Sequence, residues 1–248
     1  MKRTITIGML LAALAAASGA CDRGSDRTPP ADPPAPSSAS PSAAASEQLV
    51  AAVAKLDGQS LKYTITGNQG TLSGGFDPTT GGITLRGGTT TKLEYVILDD
   101  DVYLKGFDPQ GRWWHLSLSR FPSGSTFRLL ADPLFGIKFL TTARNIKQEP
   151  PGTFTGTLDV TKVTAGAVTS QIADLLAKGD PAGATAVPFT ATVDGQGRLT
   201  GVKATFTGVS KSGRLPYELK IVEYGATAPA VRPSRAETVE APPEAYNS

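Results

Sequence analysis

The residues best suited to catalysis are few in this sequence and form no recognisable catalytic motif. His115 is the only histidine, and Ser117 and Ser119 follow it in one predicted strand. A serine hydrolase needs an exposed nucleophile near a histidine and a carboxylate, and the sequence contains no G-x-S-x-G elbow. His115 and Ser117 share a strand face, which does not by itself define a dyad. We therefore expect no enzymatic activity and no catalytic residues, with an unrecognised hydrolase as the alternative.

Metal and phosphate chemistry are also weakly supported. One histidine and one cysteine cannot build a His/Cys metal site. The run Asp99-Asp100-Asp101 could bind a cation weakly, but a solvated turn is the commoner outcome for such a run. The Gly195-Gln196-Gly197 stretch has no helix after it, so it predicts a hairpin turn rather than a phosphate-binding loop. We expect neither a metal nor a cofactor.

The only cysteine, Cys21, follows a stretch typical of an export signal. Lys2 and Arg3 precede an alanine-padded apolar run, and Ser18-Gly19-Ala20 supplies small residues just before the cysteine. The run is shorter than the roughly 20 residues that a membrane-spanning helix needs. Residues 1–20 are therefore interpreted as a lipoprotein signal peptide, and the alternative is a buried N-terminal helix.

The surroundings of Cys21 resemble the lipobox of bacterial lipoproteins, where the signal peptide is cut and the new N-terminal cysteine is lipidated. The lipobox usually has leucine three residues before the cysteine, and here that residue is Ser18. An exported chain with one cysteine cannot form an internal disulfide, which favours lipidation over a plain secretory signal. We therefore expect export and lipid anchoring through Cys21 at the outer face of the cell membrane.

Composition divides the rest of the chain into three segments. Residues 21–45 are rich in proline, alanine and serine, and they predict a disordered tether behind the lipidated cysteine. Residues 46–226 predict one folded domain, and the proline-rich residues 227–248 predict an extended tail. The formal net charge is +2 before residues 1–20 are removed. The mature chain is thus nearly neutral and lacks the basic surface that nucleic acid requires.

Apolar residues between 46 and 226 mostly recur with a period of two, which is typical of β-strands. Leu61, Tyr63 and Ile65 alternate with polar residues, and later segments repeat the pattern. Each run ends at glycine, aspartate or proline, which predicts a meander of antiparallel hairpins. The alternation slips by one residue near Thr200-Gly201, and this slip predicts a β-bulge.

Three segments have helical spacing instead. Residues 46–57 can be capped by Ser46, residues 132–144 open with Asp132-Pro133 as N-cap and first helical residue, and residues 164–178 form the third segment. The predicted fold class is therefore α+β. We expect one strongly twisted antiparallel sheet of about eight to ten strands, with all three helices against one face.

Several local stretches, together with the order of elements, carry a family resemblance. They are YVILDDDVYLK (95–105), the Trp113-Trp114 strand, DPLFGIKFLTTA (132–143), FTGTLDVTK (154–162), VPFTATVDGQGRLTGVKATF (187–206) and YELKIVEYG (217–225). In these stretches the chain resembles the LppX/LprAFG lipoproteins of actinobacteria, which share their architecture with the LolA carriers. The resemblance implies a single strongly curved antiparallel β-sheet, a half-barrel, with the helices packed on its concave face.

The same resemblance implies a function. An apolar cavity between sheet and helices would bind acylated lipids or glycolipids for transport across the cell envelope. The partners would be that lipid, the membrane through the Cys21 anchor, and a membrane transporter as a candidate loading or receiving protein.

The alternating pattern selects the residues that would line such a cavity. The sheet would contribute the wall, from Leu61, Tyr63, Ile65, Leu72, Phe76, Ile83, Leu85, Tyr95 and Ile97, and the 132–144 segment the lid, from Leu134, Ile137, Phe139 and Leu140. Alternating apolar residues more often form a packed core. The alternative is therefore a surface-anchored interaction or structural lipoprotein without a ligand. The strand with Ile83 and Leu85 lies between two glycine pairs, which suits a cavity mouth or a sheet edge.

Overall fold

The computed structural model of the chain describes residues 41–67, 70–88, 92–122, 132, 134–149, 151–163, 180–207, 214–225 and 227–246. All of them fall within a single unit, Ala39–Ser248. The predicted signal peptide, Cys21 and the predicted helix at 164–178 lie outside the described residues.

One twelve-stranded sheet makes up most of the fold. Its strands are β1 (Leu61–Gly67), β2 (Gly70–Asp77), β3 (Gly82–Gly87), β4 (Leu93–Leu98), β5 (Asp101–Lys105), β6 (Trp113–Ser117), β7 (Ala143–Glu149), β8 (Thr153–Leu158), β9 (Val187–Val193), β10 (Leu199–Thr207), β11 (Arg214–Tyr224) and β12 (Thr238–Glu240). The order across the sheet is β12-β6-β5-β4-β3-β2-β1-β11-β10-β9-β8-β7. All pairings are antiparallel except that of β12 with β6. The predicted α+β class with a single, mostly antiparallel sheet is confirmed.

The sheet is larger than expected because β7 and β12 were not predicted. Strand β7 contains a single fully buried apolar residue, Ile146, and its pairing with β8 is interrupted by a bulge, so the sequence shows no alternation there. Strand β3 lies between β2 and β4, so it is not a sheet edge. The bulge predicted near Thr200-Gly201 is confirmed, since the register with β9 shifts between Leu199 and Gly201.

The first helix, α1 (Pro41–Ala54), begins earlier than expected. Proline suits the first position of a helix, and the alanines that follow it have the highest helix propensity. The last residues of the predicted tether are therefore helical, and Ser46 lies inside the helix instead of capping it. Ala45, Leu49 and Ala52 recur at helical spacing and are fully buried, so α1 adds an apolar stripe to the core.

The helix predicted over residues 132–144 is much shorter. Helix α2 spans only Phe135–Phe139, a 3₁₀ turn follows at Leu140–Thr142, and Ala143 already begins β7. Asp132 does not cap α2, whose N-cap position is Leu134, but pairs with Lys138 at 2.5 Å. The short helix α3 (Pro181–Ala184) has a regular side-chain N-cap, because the carboxylate of Asp180 accepts the Gly183 N–H at 2.9 Å.

The C-terminal residues do not form a free extended tail. Residues 227–246, here called the strap, pass over Gly75 and Gly82 on the face of the sheet opposite the helices, pair with β6 through β12 and end at Tyr246 in the apolar cluster. A Cβ on Gly75 would lie 2.5 Å from Thr227 Cγ2, and one on Gly82 would lie 2.6 Å from Ala230 Cβ, so these two glycines admit the strap. Tyr246 is buried at its end. The folded domain therefore extends well past residue 226.

Candidate functional site

The structure brings the thirteen predicted cavity residues together. Nine are buried in one apolar cluster, namely Leu61, Tyr63, Ile83, Leu85, Tyr95, Ile97, Ile137, Phe139 and Leu140, and four pack against it half-buried, namely Ile65, Leu72, Phe76 and Leu134. Leu49 of α1 and Phe206 of β10 belong to the same cluster. The side chains on the inner face of the sheet and those of the covering helices therefore form one continuous cluster.

Two rows of inward side chains cross the strands in register. Leu61, Phe76, Ile83, Ile97, Val102 and Leu116 form one row, and Tyr63, Gly74, Leu85, Tyr95, Leu104 and Trp114 form the other. Gly74 is the one residue of the second row without a side chain. A Cβ there would lie 2.6 Å from Leu85 Cδ2 and 3.3 Å from Tyr63 Cε2. The tyrosine and the leucine therefore meet over this glycine.

The hydroxyl of Tyr63 is a polar group inside this apolar cluster. The residue is 1% exposed, and its hydroxyl oxygen has no hydrogen-bond partner within the described part of the chain. Burial raises the pKa of Tyr63 well above its usual range, and the negative charge of Asp132 raises it further. Sequence reasoning placed Tyr63 in the wall by its alternation, but it gave no sign that the hydroxyl would be unpartnered.

Helix α2 lies over Tyr217 of β11. Burial raises the pKa of Tyr217 above its usual range, although the hydrogen bond from the Gly136 backbone opposes this shift. A Cβ on Gly136 would lie 2.1 Å from Tyr217 Cε1. Only glycine therefore allows the helix to lie this close to the ring. The ring of Phe139 packs on Phe206 with centroids 5.4 Å apart, and Phe206 lies 6.3 Å from Tyr217. Glycine and aromatic contacts thus position α2 on β10 and β11.

His115 lies on the opposite face of the sheet, beneath the strap. Its Nε2 lies 2.8 Å from Asp101 and its Nδ1 lies 2.6 Å from Glu240 of β12. Partial burial lowers the pKa of His115, but the hydrogen bonds with Glu240 and Asp101 outweigh it and hold the pKa above its usual value. Tyr103 stacks on the imidazole at 5.2 Å, and Arg232 of the strap pairs with Asp101 at 2.6 Å.

This arrangement does not assemble the dyad considered from the sequence. Both ring nitrogens of His115 contact carboxylates, whereas the Ser117 hydroxyl bonds to Asp100 and lies 2.7 Å from that of Ser119. Asp100 also accepts the Ser119 N–H at 2.7 Å. The aspartate turn is therefore paired within the protein, and no group of three potential metal ligands occurs among the described residues.

Two surface grooves lie away from the predicted cavity residues. One, of about 330 Å³, runs between α1 and the β8 and β9 ends and is lined by Lys55, Phe154 and Asp194, among others. The second, of about 240 Å³, lies around Thr141 and Arg144. None of the thirteen predicted residues lines either groove.

Comparison with known proteins adds no family assignment. No protein-family model matches the chain, and no curated protein matches it. Among the described residues, none of the helices is long and apolar enough to cross a membrane. The fold is that of an α+β protein with a single, open and mostly antiparallel sheet.

Proposed function

We propose that the chain is a lipoprotein, anchored at the outer face of the cell membrane through lipid on Cys21, that binds acylated lipids or glycolipids in its apolar interior. In this proposal the twelve-stranded sheet curves as a half-barrel, with the helices on its concave face. The bound lipid is carried across the cell envelope, and a membrane transporter is the candidate partner that loads or receives it. The protein has no enzymatic activity in this proposal.

One observation carries the proposal: the thirteen residues belong to, or pack against, one apolar cluster in which the Tyr63 hydroxyl has no hydrogen-bond partner among the described residues. Buried polar groups in packed cores almost always have partners, so an unpartnered hydroxyl favours an interior that receives another molecule. Acyl chains suit the apolar side chains of this cluster, because each methylene buried there contributes about 0.8 kcal/mol to binding.

Close packing supports a second candidate, an interaction or structural lipoprotein without a ligand. Leu85 is fully buried, and its Cδ2 occupies the space that a side chain on Gly74 would need. A core packed in this way throughout would leave no volume for lipid.

Lipid content and stability, measured on the same samples, separate the two candidates. The chain is expressed in a bacterial host, purified without denaturant and analysed by native mass spectrometry, which also reads the mass added at Cys21. Ile83→Trp should abolish co-purified lipid with little change in melting temperature, because a cavity accepts added volume. Arg86→Trp, whose side chain is 78% exposed on the same strand, is the control and should keep its lipid.

A packed core predicts the opposite result. Overpacking at Ile83 would then cost about 1–3 kcal/mol, which corresponds to a fall in melting temperature of several degrees for a domain of this size. A parent protein without lipid and a destabilised Ile83→Trp variant would together refute lipid binding and leave the interaction lipoprotein.

A further inference from the structure

The Tyr63 hydroxyl is positioned by the sheet rather than by a polar partner. Just before Tyr63 the register of β1 with β11 shifts, so that Lys62 lies opposite Glu223 and Tyr63 opposite Ile221. Bulges of this kind re-aim the neighbouring side chains and often occur beside functional sites. The ring then packs over Gly74, as described above, and its hydroxyl lies in the interior with no partner in the described part of the chain.

Two other polar groups influence this hydroxyl. The negative charge of Asp132 acts on both Tyr63 and Tyr217. Its side chain is 12% exposed, whereas that of its partner Lys138 is 42% exposed, so the carboxylate is the more interior of the two charges. Tyr217 already receives a hydrogen bond from the Gly136 backbone. The Tyr217 hydroxyl thus has a partner, whereas the Tyr63 hydroxyl has none among the described residues and its O–H is the donor open to a ligand.

The surroundings of the Tyr63 hydroxyl restrict which functional group of a ligand could bind to it. The group must accept a hydrogen bond, because a protonated phenol donates one. It must also be neutral, because the hydroxyl is 1% exposed within an apolar cluster, where burying an anion is costly. The ester carbonyl of an acylated lipid satisfies both conditions, whereas the carboxylate of a free fatty acid fails the second.

We propose that Tyr63 donates its hydroxyl hydrogen bond to the ester carbonyl of a neutral acylated lipid bound inside the sheet. The assignment rests on the proposed function, and it adds the class of lipid and the residue that selects it. The acyl chains lie along the inner rows, and the ester lies at the level of Tyr63.

The test compares two lipids that differ only in the carbonyl. The full chain is stripped of bound lipid and titrated by native mass spectrometry with dioleoylglycerol, with its dialkyl ether analogue and with oleate. The wild-type protein should prefer the ester over the ether by about three- to tenfold, which is what one neutral hydrogen bond provides. Oleate should bind more weakly than either glycerolipid.

Tyr63→Phe should lose the ester preference and keep its affinity for the ether. Its melting temperature should equal or exceed that of the wild type, because an unpartnered hydroxyl is removed. Tyr103→Phe is the matched control, since Tyr103 is 4% exposed but stacks on His115 on the opposite face of the sheet, and it should keep the preference. A destabilised Tyr63→Phe variant would instead mean that the hydroxyl has a partner within the protein.

The outcomes separate the two proposals. Equal binding of ester and ether by the wild type, a preference that survives Tyr63→Phe, or a destabilised Tyr63→Phe variant would overturn the role of Tyr63 and leave lipid binding intact. Binding of none of the three lipids would overturn both proposals.

Discussion

The contact between α2 and Tyr217 can be tested with one added methyl group. In Gly136→Ala the new Cβ would lie 2.1 Å from Cε1, 2.5 Å from Cζ and 2.8 Å from the hydroxyl of Tyr217. Carbon atoms in contact are normally about 3.5–4.0 Å apart, so helix and ring must separate by well over 1 Å. Neither side yields easily, because Tyr217 is 4% exposed and packs on Phe206.

The expected cost follows from two opposing effects. Overpacking of a buried site costs about 1–3 kcal/mol, and replacing glycine by alanine inside a helix returns at most about 1 kcal/mol. The return is smaller here, because α2 has only five residues. We therefore expect a net destabilisation of about 1–2 kcal/mol, or roughly 2–8 °C in melting temperature.

Thermal unfolding followed by circular dichroism measures this change. Gly195→Ala is the control, because nothing lies within 4 Å of a Cβ at that position, and it should leave the melting temperature unchanged. In a Tyr217→Leu background the Gly136→Ala substitution should cost much less, since leucine lacks the clashing ring atoms. A Gly136→Ala variant as stable as the parent would refute the position of α2 against Tyr217.

Two further predictions concern ionisable groups. The pKa of His115 is raised on folding, so its contribution to stability is complete below its ordinary pKa of about 6.5 and is lost as pH rises through the folded value. His115→Gln should therefore lower the melting temperature most near pH 5.5, and a difference that grows with pH would contradict the contacts with Asp101 and Glu240. Asp159 has a side chain that is 5% exposed and pairs with Arg144 at 3.0 Å, and its pKa is lowered, chiefly by the Thr161 hydroxyl. Asp159→Asn should cost about 1–3 kcal/mol at neutral pH in urea unfolding, and the cost should shrink as pH falls through the lowered pKa; a cost that is independent of pH would refute this reasoning.

The parts of the fold that were predictable from the sequence are those that local pattern determines. Alternation identified the inward rows of β1 to β5, because each of these strands has a covered inner face. It also located the β10 bulge, since Leu199 and Val202 are both buried and cannot share a face without an extra residue. Glycine, aspartate and proline residues likewise marked the hairpin turns, because turn conformation is also determined locally. All thirteen predicted cavity residues consequently belong to, or pack against, one cluster.

The errors arose where distant contacts decide the structure. Asp132-Pro133 is a strong helix-start signal, yet the chain turns into β7 at Ala143 because β8 offers a strand to pair with. The composition of the strap is typical of an extended tail. Its order comes from Gly75 and Gly82, which are remote in sequence and leave space for it. The short β-prone run Thr238–Glu240 was the only local sign of β12.

The unpartnered hydroxyl of Tyr63 was also beyond sequence reasoning, for a related reason. Whether a tyrosine hydroxyl finds a partner depends on every residue around its tip. Here Tyr63 lies opposite Ile221 of β11, which is far along the chain. The alternation that places Tyr63 inside the sheet is the same for a satisfied and an unsatisfied hydroxyl.

The strap covers one edge of the sheet and contacts several of its strands from the outer face. Without β12, strand β6 would be an open edge available to other chains, and a three-residue parallel strand leaves a much shorter edge. The strap also bears on β2, β3, β5 and β6 from outside, through Thr227, Ala230, Arg232 and Glu240. Under the proposed function, the sheet must resist splaying when lipid fills its interior. The strap ties these strands together from the outer face, and its contacts through His115 with Asp101 and Glu240 are the ones that depend on pH.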